Sequence, residues 1–203
     1  MSDQLQNLIH LQRQRMLELR DDAVTLANSV ADEVWDKFEV EVEETTSDGY
    51  MFDFAASTQM SLASLLSMSY DDVFERCVIS WFERLEKQLN EAGAVNGSFD
   101  SARVNLAGLR KSLKLRRHAD KLIGQAIGRA KPGLLGQIFL SSDPCSDAWD
   151  REHLGNANRL RRQLLALRPQ IVNTIQDEAG TVIQTARLAY TDMLDKLTIG
   201  ISH

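Results

Sequence analysis

Apolar residues recur at every seventh position in the first part of the chain, and this spacing predicts a helix over about residues 3–36. The positions of this series are Ile9, Met16, Ala23 and Val30. A second series of apolar positions has the same spacing of seven but is interrupted by the polar residues Gln12 and Glu33. A helix with such an apolar stripe packs inside a bundle or pairs with another chain. In a chain of this length we favour the intramolecular bundle, with a homo-oligomer formed through this helix as the alternative.

The pattern changes to strict alternation over residues 38–54. Its apolar members are Phe38, Val40, Val42, Tyr50, Phe52 and Phe54, on either side of a Thr-Ser-Asp-Gly turn. Alternation with period two on both sides of a turn is typical of a β-hairpin, which we therefore expect at this place. The alternative is a continuation of the first helix, because Val34, Phe38 and Val42 are also four residues apart.

The remaining apolar residues follow a helical period and predict further helices over about 56–92, 101–130 and 144–197. Pro169 lacks a backbone N–H, so we expect the last helix to bend there. Short connections make neighbouring helices antiparallel. We predict a mainly α protein with a single domain over residues 1–203, an elongated up-down-up-down bundle with a small β-hairpin at one end.

Composition supports a helical, soluble protein. Apolar residues make up 43% and charged residues 26% of the chain, and there are only three prolines. Cys77 and Cys145 belong to no Cys-x-x-Cys pair, which favours free thiols in a reducing compartment. The first fifteen residues do not resemble a secretory signal, and the longest uncharged stretch, 54–70, is rich in serine. We expect a cytoplasmic location.

The charge is distributed unevenly. The whole chain carries −6, yet residues 101–140 contain nine basic residues and a single acid, Asp120. Residues 1–100 contain seven basic and twenty acidic residues. An asymmetry of this size points to a charged partner or to an internal match between segments.

The excess positive charge lies on one side of the third predicted helix. On a helical wheel five of its cations fall within about 60° of one another, namely Arg103, Arg110, Lys114, Arg117 and Lys121. If the following helix returns antiparallel, a second arginine cluster lies level with them. We call the combined set the basic surface: Arg103, Arg110, Lys114, Arg117, Lys121, Arg159, Arg161 and Arg162.

Three kinds of anion would balance the basic surface. The first is internal, namely Glu39, Glu41, Glu43 and Glu44, or acids on the first two predicted helices. The second is an acidic partner protein, and the third is phosphate, either of a nucleic-acid backbone held without sequence readout or of lipid head groups. The chain is acidic overall and the stripe lacks aromatic residues, which favours the first two. We expect an interaction protein, an adaptor or subunit of a larger assembly of bacterial or phage type, with nucleic-acid binding as the alternative.

Glycines and an apolar loop follow the basic stripe. Gly124 and Gly128 form a Gly-x-x-x-Gly pattern, which in a soluble helix indicates close packing. The loop over 132–140 contains Leu134, Leu135, Ile138 and Phe139. We favour a role for the loop as cover for the predicted hairpin, and peripheral membrane contact is the alternative.

No catalytic or metal-binding motif is present in the sequence. The four histidines are scattered and form neither a His-Glu-x-x-His motif nor a ligand cluster with cysteine. We therefore expect a protein without enzymatic activity, metal or cofactor.

Overall fold

The computed structural model describes residues 3–47, 56–92, 115–130 and 147–199, and within these ranges the chain is almost entirely helical with no strand. The mainly α class is confirmed, and the arrangement of the helices is consistent with a bundle. The elements are α1 (Asp3–Ser47), α2 (Ala56–Phe74), a π-helical turn (Glu75–Ile79), α3 (Ser80–Glu91), α4 (Leu115–Ala130), α5 (Asp147–Leu165) and α6 (Arg168–Ile199).

The β-hairpin predicted for residues 38–54 is wrong in its first half, because α1 continues through Ser47. Phe38 and Val42 are buried on the same face of α1, whereas Val40 is 54% exposed. The spacing of four therefore prevails over the alternation. Near the end of the helix the Thr46 hydroxyl donates a hydrogen bond to the Val42 carbonyl oxygen at 2.6 Å. The second half of the predicted hairpin, 48–54, lies outside the described residues.

The chain divides into two compact units. Unit 1 comprises Met1–Ala31, Tyr70–Leu113 and Ile175–His203, and unit 2 comprises Asp32–Ser69 and Lys114–Thr174. The helices α1, α2 and α6 contribute residues to both units. The predicted single domain over residues 1–203 stays a prediction.

In unit 1, α1 packs antiparallel to α6. Arg13 forms an ion pair with Asp195, and Ala27 lies 3.9 Å from where a Cβ atom at Gly180 would be. The rings of Phe82 on α3 and Tyr190 on α6 stack with centroids 4.5 Å apart. The heptad series of the sequence is buried throughout: Ile9, Met16, Ala23 and Val30 are each at most 3% exposed.

The π-helical turn interrupts the long predicted helix over 56–92. The Ser80 backbone N–H donates to the Glu75 carbonyl oxygen, a hydrogen bond over five residues. The Ser80 hydroxyl also donates to this oxygen, at 3.1 Å. Such turns are rare in proteins and recur at functional sites. Here the turn carries Cys77, a free and half-buried thiol.

In unit 2, α4 packs against α5, and their apolar faces are buried together with those of α1 and α2. Gln59 of α2 contacts Asp120 of α4, and Ser64 of α2 contacts Arg116 of α4. From the first contact to the second, the residue number increases along α2 and decreases along α4, so the two helices are antiparallel. The largest buried side chains of this core are Trp35, Phe38, Leu62, Leu66, Leu115 and Ile123.

Close packing occurs at only one of the two glycines of the Gly-x-x-x-Gly pattern. A Cβ atom at Gly124 would lie 2.8 Å from the amide atoms of Gln59. The Gln59 amide in turn donates to the backbone oxygen and to the carboxylate of Asp120, each at 3.1 Å. A Cβ atom at Gly128 would meet nothing within 4 Å. The predicted role in helix packing therefore applies to Gly124 alone.

The bend expected at Pro169 is a break between two helices. The α5 helix ends at Leu165, and α6 begins at Arg168. Pro169 is thus the second residue of α6. A backbone N–H at this position has no acceptor within the helix, so the lack of an N–H on proline does not destabilise α6. The Leu167 carbonyl oxygen accepts hydrogen bonds from the N–H groups of Gln170 and Ile171, each at 3.0 Å.

Candidate interaction surface on α4 and α5

Five members of the basic surface lie in the described part of the chain. Arg117 and Lys121 are exposed on α4, Arg159 and Arg162 are exposed on α5, and Arg161 is half-buried on α5. The other three members, Arg103, Arg110 and Lys114, lie outside the described residues.

The apolar pattern of α4 determines where its cations point. Leu115, Ala119 and Ile123 are fully buried, at 0% exposure. Arg117 and Lys121, one turn apart, therefore lie on the opposite, exposed side of the helix. The only acid of α4, Asp120, accepts a hydrogen bond from Gln59.

The same logic holds on α5. Ala157, Leu160 and Leu164 are fully buried, and Arg159 and Arg162 lie on the exposed side. The Nε–H of the exposed Arg162 side chain donates a hydrogen bond to the Asn158 carbonyl oxygen at 3.3 Å. Residues 154–176 contain no acid, so α5 has no carboxylate of its own near these arginines.

Arg161 differs from its neighbours because it already has a counterion. Its guanidinium forms an ion pair with Glu43 of α1. Arg168, at the start of α6, contacts Asp32 of α1 at 3.8 Å. The internal balance predicted through the glutamates of α1 is therefore present at Arg161. For Arg117, Lys121, Arg159 and Arg162, no ion pair is found among the residues that the structure describes.

Packing of α4 against α5 brings together the two helices that carry these four cations. We refer to Arg117, Lys121, Arg159 and Arg162 as the unpaired cations. The sequence did not distinguish them from Arg161. They differ because α1 extends through Glu43 and places its carboxylate beside Arg161 of α5. In the sequence, this extension was the alternative to the hairpin.

The apolar loop with Leu134, Leu135, Ile138 and Phe139 lies outside the described residues. In the described ranges, every helix is too short or too polar to cross a membrane. The same ranges contain no group of three or more His, Cys, Asp or Glu side chains placed to hold a metal ion.

Comparison with known proteins identifies no relative: no family model, no curated protein and no solved structure matches this chain.

Proposed function

We propose that this chain is a non-enzymatic interaction protein, an adaptor or subunit of a larger assembly, that holds an acidic protein surface with the unpaired cations of α4 and α5. One observation carries the proposal. Four exposed cations on two packed helices have no acidic counterion in the described part of the chain, while Arg161 and Arg168 in the same unit each have one.

The expected gain in binding is moderate. A single exposed ion pair is worth about 0.2–1 kcal/mol. Four such pairs would therefore supply about 0.8–4 kcal/mol, which corresponds to a factor of roughly four to nine hundred in affinity. Because these pairs are solvent-exposed, the contribution should decrease with salt.

Charge and composition favour a protein partner over a nucleic acid. The chain carries −6, and the part of α1 in unit 2 presents exposed acids such as Asp36 and Glu44. An extended polyanion that reached beyond the unpaired cations would be repelled by them. Neither α4 nor residues 154–165 of α5 contain an aromatic side chain for base stacking. A compact acidic patch on a partner protein would not extend to the exposed acids of α1 and does not need aromatic side chains for stacking.

A fluorescent Glu-rich peptide is a direct probe of the surface. We expect it to bind the full chain at low salt, and to bind at least about tenfold more weakly to a variant with Arg117, Lys121, Arg159 and Arg162 all replaced by Gln. The matched control removes two positive charges that already have counterions, Arg161→Gln with Arg168→Gln. It should change the affinity less than about threefold.

Two results would contradict the proposal. Equal loss of peptide binding in the control variant would show that net charge, rather than the unpaired cations, determines the affinity. A single-stranded oligonucleotide of matched charge that binds more tightly than the peptide, and loses this binding in the fourfold variant, would assign the surface to nucleic acid instead.

A further inference from the structure

Unit 1 contains two adjoining cavities along α1, remote in sequence from the unpaired cations. The first, of about 470 Å³, is polar and lies between α1 and α3. The second, of about 520 Å³, is largely apolar and lies between α1, the π-helical turn and α6. Leu19 and Asp22 line both cavities, so the two adjoin, and we refer to them together as the groove. Each of the two volumes falls in the range of small-molecule sites, about 300–1,000 Å³.

The apolar end of the groove is built by core residues. Phe82, Val78 and Ile183 form its floor, and each is at most 1% exposed in total. Leu26 and Cys77 complete the wall, and the hydroxyl groups of Thr25 and Ser29 lie at the exposed side of α1. The π-helical turn supplies Cys77 and Val78, so this rare element forms part of the cavity wall. An alkyl chain is the ligand group that such a wall accommodates.

The polar end contains charges of both signs. Arg15 and Arg84 line it together with Glu18 and Asp22. The Arg84 Nε–H donates to the Ser80 carbonyl oxygen at 3.0 Å, which leaves its terminal nitrogens available. In the described part of the chain, neither arginine forms an ion pair. Two cations and two anions around one cavity complement a head group that itself carries both charges.

We infer that this groove binds a single-chain amphiphile with a zwitterionic head group. The alkyl chain lies against Leu19, Leu26 and Cys77, the half-buried apolar residues of the wall. The anionic part of the head group contacts Arg15 and Arg84, and its cationic part contacts Glu18 and Asp22. The inference is independent of the proposed function, because it uses other residues in another unit.

Cys77 provides a reporter inside the groove. In a Cys145→Ser background, Cys77 is the single cysteine of the chain, and its rate of reaction with a thiol reagent measures access to the apolar end. We expect decylphosphocholine, kept below its critical micelle concentration, to slow this reaction saturably with one site per chain. Decyl maltoside, which has the same chain and no charge, should bind at least about tenfold more weakly.

Two pairs of variants test the two ends separately. Arg15→Gln with Arg84→Gln should weaken decylphosphocholine binding about tenfold or more and leave decyl maltoside binding unchanged. Ser29→Trp, which fills the groove from its exposed rim, should abolish protection by both. Its matched control is Asn28→Trp, at the preceding position on α1. Asn28 is exposed and does not line either cavity.

Three outcomes would overturn the inference: no protection of Cys77 by decylphosphocholine, equal affinity for the zwitterionic and the uncharged amphiphile, or equal effects of Ser29→Trp and Asn28→Trp. Tighter binding of decyl phosphate or decyltrimethylammonium than of decylphosphocholine would also overturn it, since a head group of single charge would then be preferred.

Discussion

Gly124 and Gly128 differ by one turn of α4, and the structure predicts opposite effects of an alanine at these two sites. Replacing a glycine by alanine in the middle of a helix gains about 0.8–1.0 kcal/mol from helix propensity. At Gly128 nothing opposes this gain, because the new Cβ atom would have no neighbour within 4 Å. Because Gly128 is the third residue from the end of α4, we expect Gly128→Ala to stabilise the protein by up to about 1 kcal/mol.

At Gly124 the same gain is offset by Gln59. The new Cβ atom would lie 2.8 Å from the Gln59 amide, so that amide has to move away from Asp120. Its two hydrogen bonds to Asp120, each of 3.1 Å, would be lost or weakened. Because a protein hydrogen bond contributes about 0.5–1.5 kcal/mol net, Gly124→Ala should be less stable than Gly128→Ala by about 1–3 kcal/mol.

Urea unfolding followed by circular dichroism measures both variants, and a double-mutant cycle identifies the cause. In a Gln59→Ala background the obstacle is absent, and Gly124→Ala should then stabilise by about as much as Gly128→Ala does. If Gly124→Ala stabilises the unmodified protein as much as Gly128→Ala, the contact between Gln59 and Gly124 does not have the energetic role that we assign to it.

Two further predictions concern buried polar groups of unit 1. The Gln12 side chain is wholly buried, donates to the Gln88 side-chain oxygen at 3.0 Å, and has no donor for its own Oε1 in the described residues. Thermal unfolding should show that Gln88→Ala destabilises by about 1–3 kcal/mol while Gln12→Leu is neutral or stabilising; a loss in both would refute this. Burial, and then the charges of Glu178 and Asp71, raise the pKa of the Tyr70 phenol. The folded protein therefore favours the neutral phenol, and this contribution is complete below pH 10 and decreases as the pH rises above it. Relative to Tyr70→Phe, the unmodified protein should lose up to about 1.4 kcal/mol of unfolding free energy per pH unit above pH 10, and parallel curves would contradict the assignment.

The helical pattern of the sequence determined which elements form and which of their faces are buried. The heptad series from Ile9 to Val30 and the apolar faces of α4 and α5 are buried as predicted. The exposed positions of Arg117 and Arg162 follow from the same pattern. These features are predictable because the direction of a side chain in a helix depends only on its position in a local period of 3.6 residues.

Tertiary structure decided three questions that the local patterns left open. Over 38–47 the sequence fits both an alternating strand and a helix with a spacing of four, and the helix prevails because Phe38 and Val42 share one buried face. Arg161 and Arg162 are adjacent and chemically identical, yet only the position of Arg161 faces Glu43, 118 residues away in the chain. Gly124 and Gly128 are likewise alike in sequence, and the approach of Gln59 from α2 distinguishes them. In the two latter cases the deciding atom belongs to a distant part of the chain, and local periodicity carries no information about it.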